Sequence, residues 1–457
     1  MVMETTRFRS YAPGQLLLLP PDLLEWLPEG HLAYFLLDVV GELDLTEIYA
    51  SYDGSRGGRP GFDPRLMVAL LLYGYCYGIV SSRKLERATY ESVPFRVLAA
   101  NQHPDHDTIA EFRRRHLGAL SRLFVQILSL CQKAGLLKLG HVALDGTKMR
   151  ANASKHKAMS YGRMKEKIAE LESQVQELME EAEAADVSED ARHGKGRRGD
   201  ELPEELRFRQ KRLAKIRQAK AALEAEAQAE AQQETKENEP KDCGPRSEGD
   251  DGGPGSPPAV CPKDKAQRNF TDPDSRIMKD ADQAFIQGYN AQAAVDAEAQ
   301  VIVACTVTNQ AADAPHLVPV MEQIVQTSGQ PPRVLLADAG YCSDANITAL
   351  QTLGSEPLIA TRQQRHGERL PDTPRGRPPA GLTVRERMQR QLQTQRGRRL
   401  YARRKAIVEL VFGLIKRARG FRQFLLRGLT KVHAEWTLIC LTQNLLTLYR
   451  SGRRVPA

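Results

Sequence analysis

Two apolar runs in this chain end on aspartate and follow it closely with glycine: Leu144-Asp145-Gly146-Thr147 and Ala337-Asp338-Ala339-Gly340-Tyr341. Apolar residues lead each acid, so each carboxylate is expected at the C-terminal end of a strand, where open α/β sheets bind their ligands. A third carboxylate, Glu409, stands among cations in Arg403-Arg404-Lys405-Ala406-Ile407-Val408-Glu409-Leu410-Val411-Phe412-Gly413-Leu414-Ile415-Lys416. At helical period Ile407, Val411, Leu414, Ile415 and Ala418 form an apolar stripe, and Glu409 falls on the other side. Lys405 precedes it by one turn and Lys416 follows by two. Three hard oxygen donors without an organised His or Cys set suit Mg²⁺ or Mn²⁺ rather than zinc. Two such ions about 3.5–4 Å apart can activate an attacking oxygen and stabilise the leaving oxygen of a phosphodiester. A single Asp-Gly is a common turn, and a glutamate among lysines is commonly a surface charge pair worth about 0.2–0.5 kcal/mol. The combination is what points to chemistry. No G-x-S-x-G occurs and the histidines do not cluster, which argues against a Ser or Cys nucleophile.

Charge supports a polyanionic partner. The 457 residues carry a net +8, but residues 362–431 hold 20 Lys/Arg against four acids (Glu368, Asp372, Glu386 and Glu409). That segment is therefore +16 and the rest of the chain −8, a concentration that points to nucleic acid. A membrane surface is disfavoured because the segment lacks one strong amphipathic helix with aromatic anchors. The longest apolar run, Leu66 to Val80, falls short of the ~20 residues of a span, and no signal peptide is visible. Seven scattered cysteines, never spaced C-x-x-C, suggest neither a disulfide framework nor a zinc site and fit a reducing cytoplasm.

The elements that must hold these residues change in character along the chain. Residues 1 to about 138 are expected to be helical, with Asp63-Pro64 opening one helix through Gly78. Thr108-Ile109-Ala110-Glu111 is expected to be a capping box that opens a long helix. Arg83, Lys84, Arg87, Arg113, Arg114 and Arg115, if outward, would suit a helical DNA-reading domain. Val142 to Gly146 is a short strand. Met164, Ile168, Leu171, Val175, Leu178 and Ala182 then form a heptad seam, followed by a charged loop over 186–200. A second helix carries Leu206, Leu213, Ile216 and Leu223, which completes an antiparallel hairpin. Residues 235–264 are low-complexity and expected to be disordered. Afterwards come paired strands (292–295 and 301–307), a helix (315–326), a buried strand (333–338), a helix (346–353) and a short strand (357–360). The whole predicts an α/β sheet interrupted after its first strand by a helical hairpin. Asp344 and Asp313 are expected as helix N-caps, Asp282 and Asp296 as turn acids, and His141 and His156 as ordinary histidines.

On these residues the chain resembles the bacterial insertion-sequence transposases with an RNase H-like DDE catalytic domain. The resemblance implies that Asp145, Asp338 and Glu409 bind two catalytic Mg²⁺ or Mn²⁺ ions. Tyr401, Arg404, Glu409 and Lys416 are similar to the Tyr-Arg-Glu-Lys signature of one branch, with a departure: four residues rather than three separate Arg404 from Glu409. Arg404 and Lys405 therefore compete for the basic role, and Tyr401, Arg404, Lys405 and Lys416 become the candidate DNA contacts. Thr271-Asp272-Pro273-Asp274-Ser275-Arg276 and Gly288-Tyr289-Asn290-Ala291-Gln292 also look typical of the family. The implied layout is an all-α N-terminal domain for DNA-end recognition (1–138), a catalytic domain in two parts (139–159 and 265–450), and a coiled-coil hairpin with a disordered linker between them (160–264).

The function implied is metal-dependent cleavage at the ends of a mobile element, then attack of the freed 3′-OH on target DNA. Two ends must be held together, so a homodimer or larger assembly is expected, cytoplasmic and nucleoid-associated when bound to DNA. A plain RNase H-like nuclease without strand transfer would use the same residues. A non-catalytic DNA-binding protein or coiled-coil scaffold would not need the three carboxylates. Some relatives stack a displaced base on an aromatic before the glutamate helix. No Phe, Tyr or Trp lies between Gln363 and Leu400, so a hairpin intermediate is not expected.

Overall fold

The computed structural model describes residues 22, 25–52, 61–193, 204–237, 261–280, 282–362, 372–379 and 381–453. Of the stretch expected to be low-complexity, 238–260 lies outside these residues.

Among the described residues seven α-helices come first: α1 (Leu32–Glu42), α2 (Thr46–Ala50), α3 (Pro64–Cys76), α4 (Ser82–Glu91), α5 (Val93–Leu98), α6 (His106–Arg115) and α7 (Leu117–Lys133). Asp63 caps α3 by accepting from the Arg65 N–H at 2.7 Å, with Pro64 in the first turn where a missing N–H costs nothing. The expected capping box at Thr108 is absent. Asp105 caps α6 instead, accepting from the Thr108 N–H at 2.7 Å, because a carboxylate in extended backbone three residues upstream outcompetes a hydroxyl within the turn. The expected long helix also breaks at His116, so α6 and α7 are separate.

The sheet begins with β1 (His141–Arg150) and a short β2 (Ala158–Ser160). Two long helices follow, α8 (Tyr161–His193) and α9 (Glu204–Glu237), then β3 (Gln267–Asn269) and β4 (Arg276–Lys279). Helix α8 runs on through residues 186–193, where a charged loop was expected. Next come β5 (Phe285–Asp296), β6 (Ile302–Thr308), α10 (Leu317–Ser328), β7 (Val334–Ala337), α11 (Asp344–Thr352) and β8 (Glu356–Ile359). The chain closes with α12 (Val384–Gln393), α13 (Gln395–Gly413) and α14 (Leu429–Arg450).

In the main sheet the order is β4-β5-β1-β7-β8, with β6 also paired to β5. Strand β5 runs antiparallel to β1, whereas β1, β7 and β8 are parallel. Residues Val334 to Ala337 are all buried, as expected of a parallel strand covered on both faces. β1 differs from its expected form. It extends to Arg150 because the twelve-residue β5 pairs with it as far as Gly288, so Asp145 lies mid-strand rather than at a terminus. The parallel pairing with β7 nevertheless stops at Leu144↔Ala337. Asp145 and Asp338 therefore emerge side by side where that seam ends. Among caps, Ser343 and not Asp344 accepts from the Asn346 N–H (3.1 Å) at the start of α11.

One hydrophobic core runs from the N-terminal helices through the sheet to α14, without a seam at residue 138. Buried Arg419 donates to the Tyr75 carbonyl at 2.9 Å and the Ile439 carbonyl at 3.1 Å, tying α3 to α14. Gly78 (φ +72°) leaves no room for a Cβ, which would meet the Arg419 carbonyl oxygen at 2.0 Å. Asn444 on α14 satisfies both the N–H and the C=O of Ile302 (2.7 and 2.8 Å). Asp272 accepts from the Tyr289 hydroxyl at 2.8 Å and the Gly428 N–H at 3.1 Å, and Asp274 accepts from the Leu429 N–H at 2.8 Å. The Thr271–Arg276 run thus anchors the start of α14.

Helices α8 and α9 bury a separate cluster of Tyr161, Met164, Leu171, Leu213, Ile216, Ala219 and Leu223. Their base is closed by the β2–β3 pairing, and Glu226 on α9 meets Arg268 and Arg276. Because this cluster is independent of the main core, replacing residues 163–263 by a short Gly/Ser linker should leave one cooperative thermal transition within about 5 °C of the intact chain's. Loss of cooperativity in calorimetry would show that the pair supports the main core.

Candidate active site

Asp145 and Asp338 sit on neighbouring parallel strands, and a guanidinium from α13 joins them. Arg404 Nη1 donates to Asp145 Oδ2 at 2.8 Å, with the two side chains 10% and 17% exposed. Ile407, Val408 and Val411 bury the same side of α13, so packing of that helix fixes where Arg404 points. Tyr401 lies half-buried one turn earlier, its ring 5.9 Å from the guanidinium carbon. Lys416 lies further along the helix, where its last turn widens to π geometry. Its ammonium donates to the Thr147 hydroxyl and to the Lys148 carbonyl (3.2 Å). Helix α13 therefore runs alongside the second half of β1.

Charge in this pair of strands is unevenly compensated. Burial pushes the Asp145 carboxyl up to about 6, against the pull of Arg404 and with a further rise from Asp338. Asp338 is raised too, first by burial, with Asp313 adding to it and the Gly340 N–H and Arg404 opposing. For Arg404 burial works against its charge, but Asp145, Tyr401 and Asp338 together outweigh that and hold it above its ordinary value. Two acids share Arg404, with only a lesser pull from Lys148 on Asp338. The guanidinium is fully compensated and the acids are not.

On the other face of the sheet is a second polar cluster. Register places Gly146 opposite Gln292 and Lys148 opposite Asn290, so these four alternate with Asp145 and Thr147. Asp313 Oδ1 accepts from Asn290 Nδ2 (2.7 Å), Gln292 Nε2 (2.9 Å) and Lys148 Nζ (3.2 Å). It caps nothing with its side chain, contrary to expectation, because these three donors hold it. A Cβ on Gly146 would lie 2.6 Å from Gln292 Nε2 and 2.9 Å from Asp313 Oδ1, so only glycine fits. The Tyr341 hydroxyl bonds to Gln292 Oε1. Sequence reasoning missed Asp313, Lys148 and Tyr341. The available signal was Asn290 and Gln292, two polar residues at strand spacing in an otherwise apolar stretch.

Glu409 is not brought to the aspartates in this state. It is exposed on α13 and makes no hydrogen bond or ion pair with a described residue. Five residues beyond Arg404, it lies about 140° round the helix from the side chain that meets Asp145. Lys405, likewise exposed, shares its face. The extra residue between Arg404 and Glu409 thus separates the two roles. The expected stripe also ends early, with Ala418 exposed where the π turn rotates the chain and Val408 buried instead. In the N-terminal helices Arg83 and Lys84 are exposed, but Arg113 turns inward to the Val80 carbonyl (2.6 Å), while Arg87 and Arg114 pair with Glu91 and Glu111.

The donor set is all oxygen and carries surplus negative charge, which fits a hard divalent cation at Asp145 and Asp338. No group of three or more His, Cys, Asp or Glu side chains among the described residues is close enough to hold a metal. No helix among them is long and apolar enough to cross a membrane.

A mixed sheet flanked by helices, with paired acids at the end of its central parallel seam, defines a class of α/β proteins that bind ligands at that edge. Comparison with known families narrows it. Residues 258–445 match the transposase DDE domain, and residues 21–115 match a second family described as transposase domain (DUF772). No curated protein and no solved structure matches the chain. The chain belongs to the insertion-sequence transposases with a DDE domain. That family implies an RNase H-like fold, DNA as the substrate and, in general, divalent metal. The DDE match takes in Asp338 and Glu409 and begins after Asp145.

The raised Asp145 pKa has a consequence for stability. The folded chain holds this proton more tightly than the unfolded chain, whose value is near 3.8. The group's stabilising contribution is complete below about pH 3.8 and is lost as pH rises through about 6, a difference of about 3 kcal/mol. In EDTA, Asp145→Asn should match the parent near pH 4 and unfold at a higher temperature than it at pH 7. Parallel stability curves would mean that Arg404 compensates Asp145 completely.

Proposed function

We propose that this transposase binds the ends of its mobile element, cleaves them with two divalent ions and joins the freed 3′-OH to target DNA. The observation that supports it most is the pair of aspartates at the end of the β1–β7 seam, undercompensated by a single buried arginine, in a chain whose residues 258–445 match the transposase DDE domain. Asp145, Asp338 and Glu409 are the residues that would hold the metal. Bound metal would supply Lewis-acid activation of the attacking oxygen and stabilisation of the leaving oxygen.

The chain's own residues do the rest. Arg404 holds Asp145 in one orientation through a charge-assisted bond, so the carboxylate is positioned before any ligand arrives. Glu409, exposed on α13 and turned away from the pair, is the third carboxylate that the family resemblance implies. Lys416 spends two of its three donors on β1 and keeps one for a phosphate oxygen. Lys405 and Tyr401 lie on the Glu409 side of α13, where they would position the backbone without reading bases. The exposed Arg83 and Lys84 on α4 suit contact with the element's ends, and holding two ends together requires at least a dimer.

Nicking of a supercoiled plasmid carrying the element's ends tests this. Asp145→Asn, Asp338→Asn and Glu409→Gln should each lower Mn²⁺-dependent nicking by on the order of 10³-fold while leaving DNA binding within a few-fold. Nicking retained by Glu409→Gln but lost in Asp313→Asn would replace Glu409 with Asp313 as the third carboxylate. Nicking without joined products would reduce the activity to that of a nuclease.

A further inference from the structure

The arginines leading into the glutamate helix are not gathered at the aspartates. Arg399 and Arg403, one turn apart on α13, line a cavity of about 660 Å³ together with His141, Arg333, Gln395 and Arg396. His141 opens β1 and pairs with Val334, the residue after Arg333. The cavity therefore lies at the N-terminal ends of β1 and β7, opposite the end that carries Asp145 and Asp338.

Its charge is largely unspent. Arg396 is committed to Glu356, with Nη2 2.7 Å from Oε2. Arg333, Arg399 and Arg403 are exposed and their guanidinium groups make no hydrogen bond or ion pair with a described residue. His141 registers their field: burial, then Arg403, Arg333 and Arg396, hold its imidazole below the ordinary value. The first turn of α13, capped by Thr394 on the Gly397 N–H (3.0 Å), adds the positive end of a nineteen-residue helix. Three unpaired guanidinium forks around one concavity repel one another. An anion rich in oxygen relieves that repulsion and matches their donor geometry.

We propose that this cavity grips the phosphodiester backbone of the bound DNA at a place distinct from the aspartate pair. The proposal rests on the DNA reading above and adds where the strand is held. His141 and Asp145 are four residues apart on one strand, about 13 Å. With about 3.4 Å of duplex axis per phosphate of a strand, a phosphate in the cavity lies about four base steps from one at the aspartates. Arg399 and Arg403 share one exposed side of α13 and Arg404 follows directly at Asp145, so basic groups link the two places, which favours a strand over a small free polyphosphate.

The test uses the full chain and a 30-base-pair duplex of arbitrary sequence in EDTA, so binding is read without cleavage. The triple variant Arg333→Ala, Arg399→Ala, Arg403→Ala should reduce the slope of log affinity against log salt by at least about one. Its affinity at 100 mM salt should fall by at least about tenfold. All three side chains are exposed, and a thermal transition checks the fold. The triple lysine variant should restore most of the slope, because phosphate contact needs charge. An unchanged slope in the alanine variant overturns the proposal. So does loss of inorganic tripolyphosphate binding with an unchanged duplex slope, which would assign the cavity to a small polyphosphate. A chain that binds with the full slope yet never nicks with Mn²⁺ contradicts the cleavage reading alone.

Discussion

Arg404 is a buried guanidinium that one aspartate binds directly and a second shares through space, and much of the catalytic half is arranged to hold it there. Helix α13 must lie along β1 for Arg404 to reach Asp145, and Ile407, Val408, Val411 and Ile415 secure that by burying the same side. The turn into α13 is equally constrained: a Cβ on Gly397 would meet the Gln391 carbonyl oxygen at 2.1 Å. Removing Arg404 would leave Asp145 buried with no direct cation, a loss that commonly destabilises by about 3–5 kcal/mol. The pair is still not an optimum for stability. Asp145 ionises reluctantly, and a structure built only to be stable would place a neutral side chain there.

That residual strain is what suits the site to a cation. An acid pair fully neutralised by arginine and lysine would have little to gain from a divalent ion. Asp145 and Asp338 have one directly bonded cation between them, Arg404, with only a lesser pull from Lys148 on Asp338, while Asp313 on the opposite face has its own lysine and two amides. The two clusters are held apart by the alternation of β1, and Asp338 at the end of β7 feels both. Function here follows from strand geometry: a period of two sorts the polar residues into one group poised for a ligand and one already satisfied.

Most of the sheet was legible in the sequence. The apolar run before Asp338 gave β7 nearly to the residue, and Asp63-Pro64 gave the start of α3. Where local signals failed, a competitor nearby won. Asp105 displaced Thr108 as a cap and Ser343 displaced Asp344, since cap choice depends on which residue is extended just before the helix. β1 was expected to stop at Gly146 because its own residues turn polar there. The length of β5, a partner more than a hundred residues away, carries it to Arg150. The two aspartates could be picked out from type and spacing. Asp313 could not, because only register shows that Lys148, Asn290 and Gln292 converge on it. The orientation of Glu409 was half legible: periodicity placed it off the apolar stripe, but not how far it lies from the aspartates.

The central claim is that the surplus charge on Asp145 and Asp338 is a place for a divalent cation with which Arg404 competes. Mn²⁺ binding to the full chain, followed by calorimetry and electron paramagnetic resonance at pH 7, tests it most directly. Asp338→Asn should weaken binding by at least about tenfold, and Arg404→Gln should tighten it, since the competing cation is gone. Equal Mn²⁺ affinity in the parent and both variants would contradict the claim.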